Sequence, residues 1–249
     1  MPPSSPRSIL LADCDVYYVQ LARMADPEGA GRAELLIVGG SAESRGVVCS
    51  ATYEVRKYGV RSGMPISRAV RLCPQAMCVP VPRGLCSEKS EEIVHVLQRF
   101  APDVESASPD EAYLDLTTTM QTVYRGRPLE DIAHAIRDAV WNETGIRISM
   151  GGGTNKLVAK LAVERAKPKP GTGADGVHIV EPGTEAEFLR TFDLAVVEVL
   201  CNNARTDTTK SGQCCKRFRF TTNSTSNRLP KITSHSSATT RKFPRTNIT

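Results

Sequence analysis

The stretch S-P-D-E-A-Y-L-D-L, residues 108–116, joins an adjacent pair of carboxylates to a strand pattern. After Asp110 and Glu111, apolar and polar side chains alternate, and this period of two predicts a strand. Pro109 lacks the backbone N–H that a sheet ladder needs, so it suits the turn before the strand. Two carboxylates at the head of a buried strand are unfavourable unless a cation lies between them. The stretch therefore predicts a strand that begins at a cation site.

A second apolar run that ends in acids lies near the N-terminus, in the sequence I-L-L-A-D-C-D of residues 9–15. If the two strands are neighbours, Asp13, Asp110 and Glu111 converge on one site. Mg²⁺ prefers oxygen ligands and is commonly held by one or two carboxylates together with substrate phosphates. The alternative is that these acids lie in solvated loops, because a lone Asp-Glu pair is common at strand ends.

Length and composition set the broad class of the protein. The chain has 249 residues, of which 40% are hydrophobic, enough for one large or two small domains. It has no apolar run long enough to span a membrane, and its N-terminus lacks the pattern of a signal peptide. The eight cysteines show no zinc-ligand spacing. These features predict a cytoplasmic protein with no membrane segment.

Residues 201–249 differ in composition from the rest of the chain. They hold ten of the 32 Lys and Arg residues but one of the 27 acids, and Ser, Thr and Asn supply 22 of the 49 residues. Such a segment buries too little apolar surface to offset its ordering entropy, so it predicts a disordered tail. Two origins remain open, an out-of-frame translation and a genuine basic arm that binds nucleic acid.

The order of the remaining patterns predicts an α+β fold. Helical stripes occur at residues 85–100 and 129–144, between segments that alternate as strands. This order fits a ferredoxin-like antiparallel sheet backed by helices, with residues 19–81 inserted as a small lobe. Three glycines at 151–153 predict a turn before a helix at 155–165, but the spacing of a P-loop is absent.

A short helix is predicted after Thr52, with Tyr53 and Arg56 on one face because they are three residues apart. A guanidinium and a phenol together can bind phosphate oxygens. The alternative is an ordinary solvated helix face.

These motifs together resemble the Y-family DNA polymerases, and in particular the DinB-like branch (DNA polymerase IV, with a UmuC-type catalytic domain). The resemblance covers roughly residues 8–190. The matching stretches, in order, are residues 11–18, 45–48, 51–65, 72–74, 108–116, 155–160 and 166–168.

The resemblance implies a metal site. Asp13, Asp110 and Glu111 correspond to the catalytic carboxylates of the palm domain, and the backbone carbonyl of Cys14 to a further metal ligand. Two Mg²⁺ ions are the implied cofactor.

The resemblance also implies a nucleotide site. Tyr18 corresponds to the steric gate, a ring that excludes a ribose 2′-OH, and Tyr17 is its neighbour under the nucleotide. Tyr53, Arg56 and Lys167 correspond to contacts with the triphosphate.

The implied domains are a palm at 1–18 and 82–175, fingers at 19–81 and the start of a thumb at 176–200, followed by the tail at 201–249. The implied activity is that of a translesion-type DNA-directed DNA polymerase. The resemblance stops near residue 200, before most of the thumb and the little finger, which predicts impaired activity for this chain.

The implied partners are primer-template DNA and dNTPs. A sliding clamp is expected for the family, but no clamp-binding motif is present in this sequence. Two other functions stay open. One is a non-catalytic DNA-repair accessory protein of the same fold, which would not need the three acids, and the other is a nucleotidyl cyclase, which would not need Tyr18.

Overall fold

The computed structural model describes residues 6–40 and 46–193. The strands in this part of the chain are β1 (Ile9–Cys14), β2 (Leu36–Gly39), β3 (Val48–Ala51), β4 (Met77–Val79), β5 (Asp103–Ser108), β6 (Glu111–Asp115), β7 (Ile148–Gly153) and β8 (Val177–Ile179). The helices are α1 (Tyr17–Ala25), α2 (Tyr53–Arg56), α3 (Ile66–Leu72), α4 (Arg83–Gln98), α5 (Thr117–Thr122), α6 (Leu129–Thr144), α7 (Lys156–Ala166) and α8 (Glu185–Arg190).

The larger sheet has five strands in the order β5-β6-β1-β7-β8. Neighbouring strands are antiparallel except for β7 and β8, which are parallel. The predicted α+β class, with an antiparallel sheet backed by helices, is confirmed. Strand β8 extends this sheet beyond residue 175, where the sequence analysis ended the palm.

Helices cover both faces of the larger sheet, and successive side chains of β1 point to the two faces in turn. Leu10 and Ala12 belong to the main hydrophobic core with residues of α4 and α6. Ile9 and Leu11 pack on the opposite face, against residues of α7. Because side chains alternate across a strand, Asp13 continues the series that faces α7. The face that carries the carboxylate is therefore the face that α7 covers.

The three glycines at 151–153 form the end of strand β7, so the predicted glycine turn is wrong. A Cβ on Gly151 would lie 2.2 Å from the backbone nitrogen of Val163 and 2.3 Å from the carbonyl oxygen of Ala159. Glycine is needed at this position because the backbone of α7 rests directly on the strand. The helix begins after Asn155, whose side chain accepts a hydrogen bond from the Val158 N–H at 3.0 Å.

The smaller sheet has three strands in the order β3-β2-β4, and α2 and α3 pack on it. We call this unit the lobe. Helix α1 links the lobe to the larger sheet, since Tyr17 and Leu21 lie in the main core whereas Val19 and Ala22 pack with β2. The boundary predicted between residues 18 and 19 falls inside this helix.

Within the described part of the chain, no helix combines the length and the apolar character needed to cross a membrane. The predicted disordered tail, residues 201–249, lies outside the described residues, as do residues 194–200 of the predicted thumb segment.

Candidate active site

Strand register brings the predicted carboxylates to one edge of the larger sheet. Asp13 is the direct partner of Glu111 in the β1–β6 ladder. Asp110 precedes Glu111 in the turn from β5, and its carbonyl oxygen accepts a hydrogen bond from the Cys14 N–H at 2.9 Å. Two segments almost 100 residues apart in sequence therefore place three carboxylates side by side.

Two lysines from the α7 segment reach these carboxylates. The Lys167 ammonium lies 3.0 Å from Asp13 Oδ2 and 2.7 Å from Glu164 Oε1. The Lys160 ammonium lies 2.5 Å from Glu111 Oε1 and 3.4 Å from Asp13 Oδ2. Lys167 was assigned from the sequence, whereas Lys160 was not, because a lysine on a helix carries no signal of function in the sequence.

Burial dominates the titration of this cluster. Desolvation raises the pKa of Asp13 to about 6, although Lys167 and Lys160 oppose the shift. Burial also disfavours the charged form of Lys167, but Asp13 and Glu164 outweigh it and hold the pKa of Lys167 above its usual range. The site therefore favours a positive charge beside Asp13.

Asp15, the second acid of the D-C-D sequence, binds strand β7 instead of joining the three carboxylates. Asp15 is buried, and its Oδ1 accepts a hydrogen bond from the Ser149 hydroxyl at 2.8 Å. Burial raises the pKa of Asp15, and the Ser149 hydrogen bond partly offsets this shift. These contacts hold the end of β1 against β7.

A sharp turn leads from β1 to the two tyrosines. Val16 has φ 43° and ψ 47°, a left-handed conformation that is strained for a β-branched residue. Tyr17 is 2% exposed, and its hydroxyl donates a hydrogen bond to the Cys86 carbonyl at 2.7 Å. Tyr18 is half-buried, with its ring centroid 5.5 Å from that of Tyr17. Tyr17 therefore anchors α1 to α4, whereas Tyr18 keeps a larger exposed surface.

The lobe contributes the short helix α2. The Arg56 guanidinium lies 5.2 Å from the Tyr53 ring centroid, as expected from their spacing, and its Nε donates a hydrogen bond to the Ala51 carbonyl at 3.0 Å. Thr52 precedes the helix, but its hydroxyl accepts the Leu36 N–H at 3.3 Å and no N–H of α2. Thr52 thus ties α2 to strand β2 instead of capping it.

One open cavity of about 140 Å³ is lined by residues from all of these parts. All nine residues assigned from the sequence line it, namely Asp13, Cys14, Tyr17, Tyr18, Tyr53, Arg56, Asp110, Glu111 and Lys167. Four further lining residues were not singled out from the sequence: Val16, Cys49, Ser50 and Ser62. They come from the turn before α1, from β3 and from the loop before α3, and their residue types carry no signal of function.

The side chains fit a Mg²⁺ site by chemistry, although their present contacts are with cations and hydroxyls. Within residues 6–40 and 46–193, no three His, Cys, Asp or Glu side chains are arranged to hold a metal ion. The Asp110 carboxylate accepts the Ser108 hydroxyl at 2.5 Å, while Asp13 and Glu111 bind lysines. Three carboxylates at one sheet edge supply the oxygen ligands that Mg²⁺ prefers, and the two ammonium groups show that this position attracts positive charge.

Comparison with known families gives a match over most of the described chain. The sequence model of the impB/mucB/samB family matches residues 12–164. Among curated proteins, a DNA polymerase IV of Dehalococcoides mccartyi (strain CBDB1) is 38% identical over 193 residues, which is 78% of this chain and 47% of that protein. The chain spans about half the length of the curated relatives that it matches.

Solved structures with a similar fold are also polymerases. An insertion ternary complex of Dbh DNA polymerase matches with a TM-score of 0.64 and 29% identity, over 75% of this chain and 52% of that chain. A crystal structure of DinB from Sulfolobus solfataricus matches with a TM-score of 0.64 and 26% identity, over 79% of this chain and 57% of that chain.

Proposed function

The chain belongs to the impB/mucB/samB family, and from this premise we propose that it carries the nucleotidyl-transfer site of a DinB-like, translesion-type DNA polymerase. The reaction is attack of a primer 3′-OH on the α-phosphate of a dNTP, with release of pyrophosphate. The alternative of a non-catalytic accessory protein is weaker, because all three predicted acids line the cavity.

The observation that carries the proposal is the division of the cavity between two kinds of side chain. Asp13, Asp110 and Glu111 lie on the larger sheet, whereas Tyr53 and Arg56 approach from the lobe. An elongated anion that binds divalent cations at one end and a guanidinium at the other would span this arrangement. A nucleoside triphosphate has this distribution of charge.

Different side chains of the cavity would bind the triphosphate and the metal ions. Arg56 would bind triphosphate oxygens in a fork, with Tyr53 donating from the same helix face and Lys167 adding a positive charge. These groups stabilise the negative charge that develops during phosphoryl transfer. Asp13, Asp110, Glu111 and the carbonyl of Cys14 would hold two Mg²⁺ ions.

When bound, the two Mg²⁺ ions would supply the positive charge that activates the attacking 3′-oxygen and stabilises the leaving pyrophosphate. The Tyr18 ring would lie under the sugar and clash with a ribose 2′-OH. Tyr17 would fix the position of Tyr18 from below, because its hydroxyl is bound to the Cys86 carbonyl.

The lobe supports the translesion assignment. Its contribution to the cavity includes the small side chains of Cys49, Ser50 and Ser62. Small side chains would enclose a nascent base pair loosely, so that a damaged or mismatched template base is tolerated. Primer-template DNA and dNTPs are the proposed partners, and the similarity to a Dbh DNA polymerase solved as an insertion ternary complex supports this choice.

The test measures Mg²⁺-dependent dNTP binding by calorimetry and primer extension on a DNA template, with the chain as it stands. We expect dNTP binding and extension to require Mg²⁺. Extension by this chain should be weak, in line with its predicted impairment, and should be lost in Asp110→Asn. The matched control is Asp103→Asn, which removes an exposed carboxylate of the neighbouring strand β5 that does not line the cavity.

Three outcomes would contradict the proposal. Extension that survives in Asp110→Asn would overturn the metal assignment. Absence of dNTP binding in the wild type would favour the accessory-protein alternative. Cyclic product from NTPs without extension of a primer would favour a nucleotidyl cyclase.

A further inference from the structure

Lys160 holds a position between two carboxylates of the site. Its ammonium lies 2.5 Å from Glu111 Oε1 and 3.4 Å from Asp13 Oδ2, and its side chain is 21% exposed. Asp13 and Glu111 are direct partners across the β1–β6 ladder, and like charges in that position repel each other. Lys160 therefore neutralises a repulsion that the register of the sheet imposes.

Lys160 differs from Lys167 in both access and partners. Lys167 lines the cavity and also binds Glu164 of its own segment. Lys160 is not among the residues that line the cavity, and within the described part of the chain its hydrogen-bond partners are Asp13 and Glu111. It reaches the carboxylates from the side that α7 covers. A triphosphate in the cavity would meet Lys167, whereas Lys160 would act on the carboxylates alone.

Helix α7 has little freedom to carry Lys160 away. The backbone of the helix rests on Gly151 of β7, where even a Cβ would clash with Val163 and Ala159. Lys160 follows Ala159 directly and therefore projects from the part of the helix that touches the sheet. The ammonium can therefore leave the carboxylates only by rotation of the side chain.

We propose that Lys160 is a positioning residue, an internal counter-ion that holds Asp13 and Glu111 in the metal-free protein and weakens metal binding until a divalent cation takes its place. The inference rests on the proposed metal site and extends it to a residue outside the cavity. Its consequence is that metal binding is weak without nucleotide, because the carboxylates already have a cation.

The experiment measures the Mn²⁺ dissociation constant by calorimetry and thermal unfolding in EDTA, for the wild type, Lys160→Met and Lys156→Met. Lys156 is the matched control because it lies one turn earlier on α7 and pairs with Glu105, outside the site. We expect Lys160→Met to lower the Tm in EDTA and to bind Mn²⁺ about tenfold more tightly, since a nearby positive charge is lost. Lys156→Met should leave the Mn²⁺ affinity unchanged.

A double variant keeps the test decisive if Lys160→Met folds poorly. Lys160→Met with Glu111→Gln removes the repulsion together with its counter-ion, so the Tm in EDTA should recover. An Mn²⁺ affinity that is unchanged or weaker in Lys160→Met, or a double variant no more stable than Lys160→Met, would overturn the assignment of Lys160.

A further variant separates this outcome from failure of the proposed function. If the wild type binds Mn²⁺ and Asp110→Asn does not, the proposed metal site stands. The Lys160 variants then test the counter-ion role alone. If Asp110→Asn binds Mn²⁺ as tightly as the wild type does, the proposed metal site is overturned and the counter-ion proposal falls with it.

Discussion

The larger sheet and the lobe hold their parts of the cavity by different means. On the larger sheet, strand register sets Asp13 opposite Glu111, and α7 packs directly on the neighbouring strand. In the lobe, Tyr53 and Arg56 lie on α2, a helix of four residues. A helix of this length has no stability of its own, so α2 depends on tertiary contacts such as the Arg56 bond to Ala51.

A strand ladder therefore fixes the positions of its side chains more strongly than a short helix does. A one-residue slip in a ladder would turn each side chain to the opposite face, so the register of the carboxylates is strongly specified. The short helix depends on a few hydrogen bonds and on one fully buried residue, Val55. We therefore expect substitutions on the larger sheet to impair the chemical step and substitutions in the lobe to impair nucleotide binding.

The largest expected effect is on kinetic constants, and it differs between Asp110→Asn, on the side of the larger sheet, and Arg56→Met, in the lobe. If Asp110 holds a metal ion as proposed, its loss should lower kcat by roughly 10³-fold, because charge stabilisation in the transition state is lost. Loss of the Arg56 guanidinium should raise the KM for dNTP about tenfold and change kcat by less than about threefold. Steady-state single-nucleotide insertion measures both constants. If Arg56→Met lowers kcat as much as Asp110→Asn does, the two regions do not divide the work in this way.

The next effect tests how closely α7 is fixed to the larger sheet. Gly151→Ala should lower the free energy of unfolding by about 3 kcal/mol, because its Cβ meets backbone atoms of α7 that cannot move alone. Urea unfolding followed by circular dichroism measures the change. Gly84→Ala is the control, since no atom outside the local backbone of its own helix lies within 4 Å of its Cβ position, and it should alter stability by less than about 1 kcal/mol. Equal stability of the two variants would show that α7 can lift from β7.

A third effect concerns the pH dependence of the metal-free protein. The pKa of Asp13 is about 6 in the folded state against 3.8 when unperturbed, so the folded state binds the proton more tightly. The resulting stabilisation is complete below pH 3.8 and is lost as the pH rises through about 6, a change of about 3 kcal/mol. In EDTA, Asp13→Asn should therefore be more stable than the wild type at pH 7.5, and this advantage should vanish near pH 4.

Arg56→Met, which alters the lobe, serves as the control for this titration and should retain the pH dependence of the wild type. The measurement is the urea midpoint at a series of pH values. A wild type and an Asp13→Asn variant that differ by the same amount at every pH would contradict the assigned shift.

The smallest expected effect is on stability and concerns α1, the helix that links the larger sheet to the lobe. Tyr17→Phe should lower the free energy of unfolding by about 1 kcal/mol, because the hydrogen bond to the Cys86 carbonyl is lost. Tyr18→Phe is the matched variant, since the Tyr18 hydroxyl has no hydrogen bond within the described residues. Thermal unfolding compares the two variants. A larger loss in Tyr18→Phe would contradict the anchoring role of Tyr17.

Sequence patterns located the carboxylates because the signal is local. Each of the two strands shows an apolar run that ends in acids, and the spacing of Tyr53 and Arg56 placed them on one helix face. The interpretation failed at 151–153, because glycine is used both in turns and where a helix lies close to a strand. Only the packing of α7 on β7 distinguishes these two uses.

Lys160 shows the same limit at the site. A lysine on a helix is ordinarily solvated, and no feature of the neighbouring sequence distinguishes Lys160 from Lys156. The contacts of the two ammonium groups differ because the packing of α7 on the larger sheet brings Lys160 to Asp13 and Glu111 and Lys156 to Glu105.

The sequence by itself predicted the fold class and the residues of the candidate site, because hydrophobic periodicity and residue type act over a few neighbouring residues. The tertiary structure decided which face of the sheet carries the carboxylates, which acids stand opposite each other and which lysine neutralises them. Those relations join residues about 50 to 150 positions apart, from Glu111 with Lys160 to Asp13 with Lys167. They depend on strand register and helix packing, which arise only when the whole core is assembled.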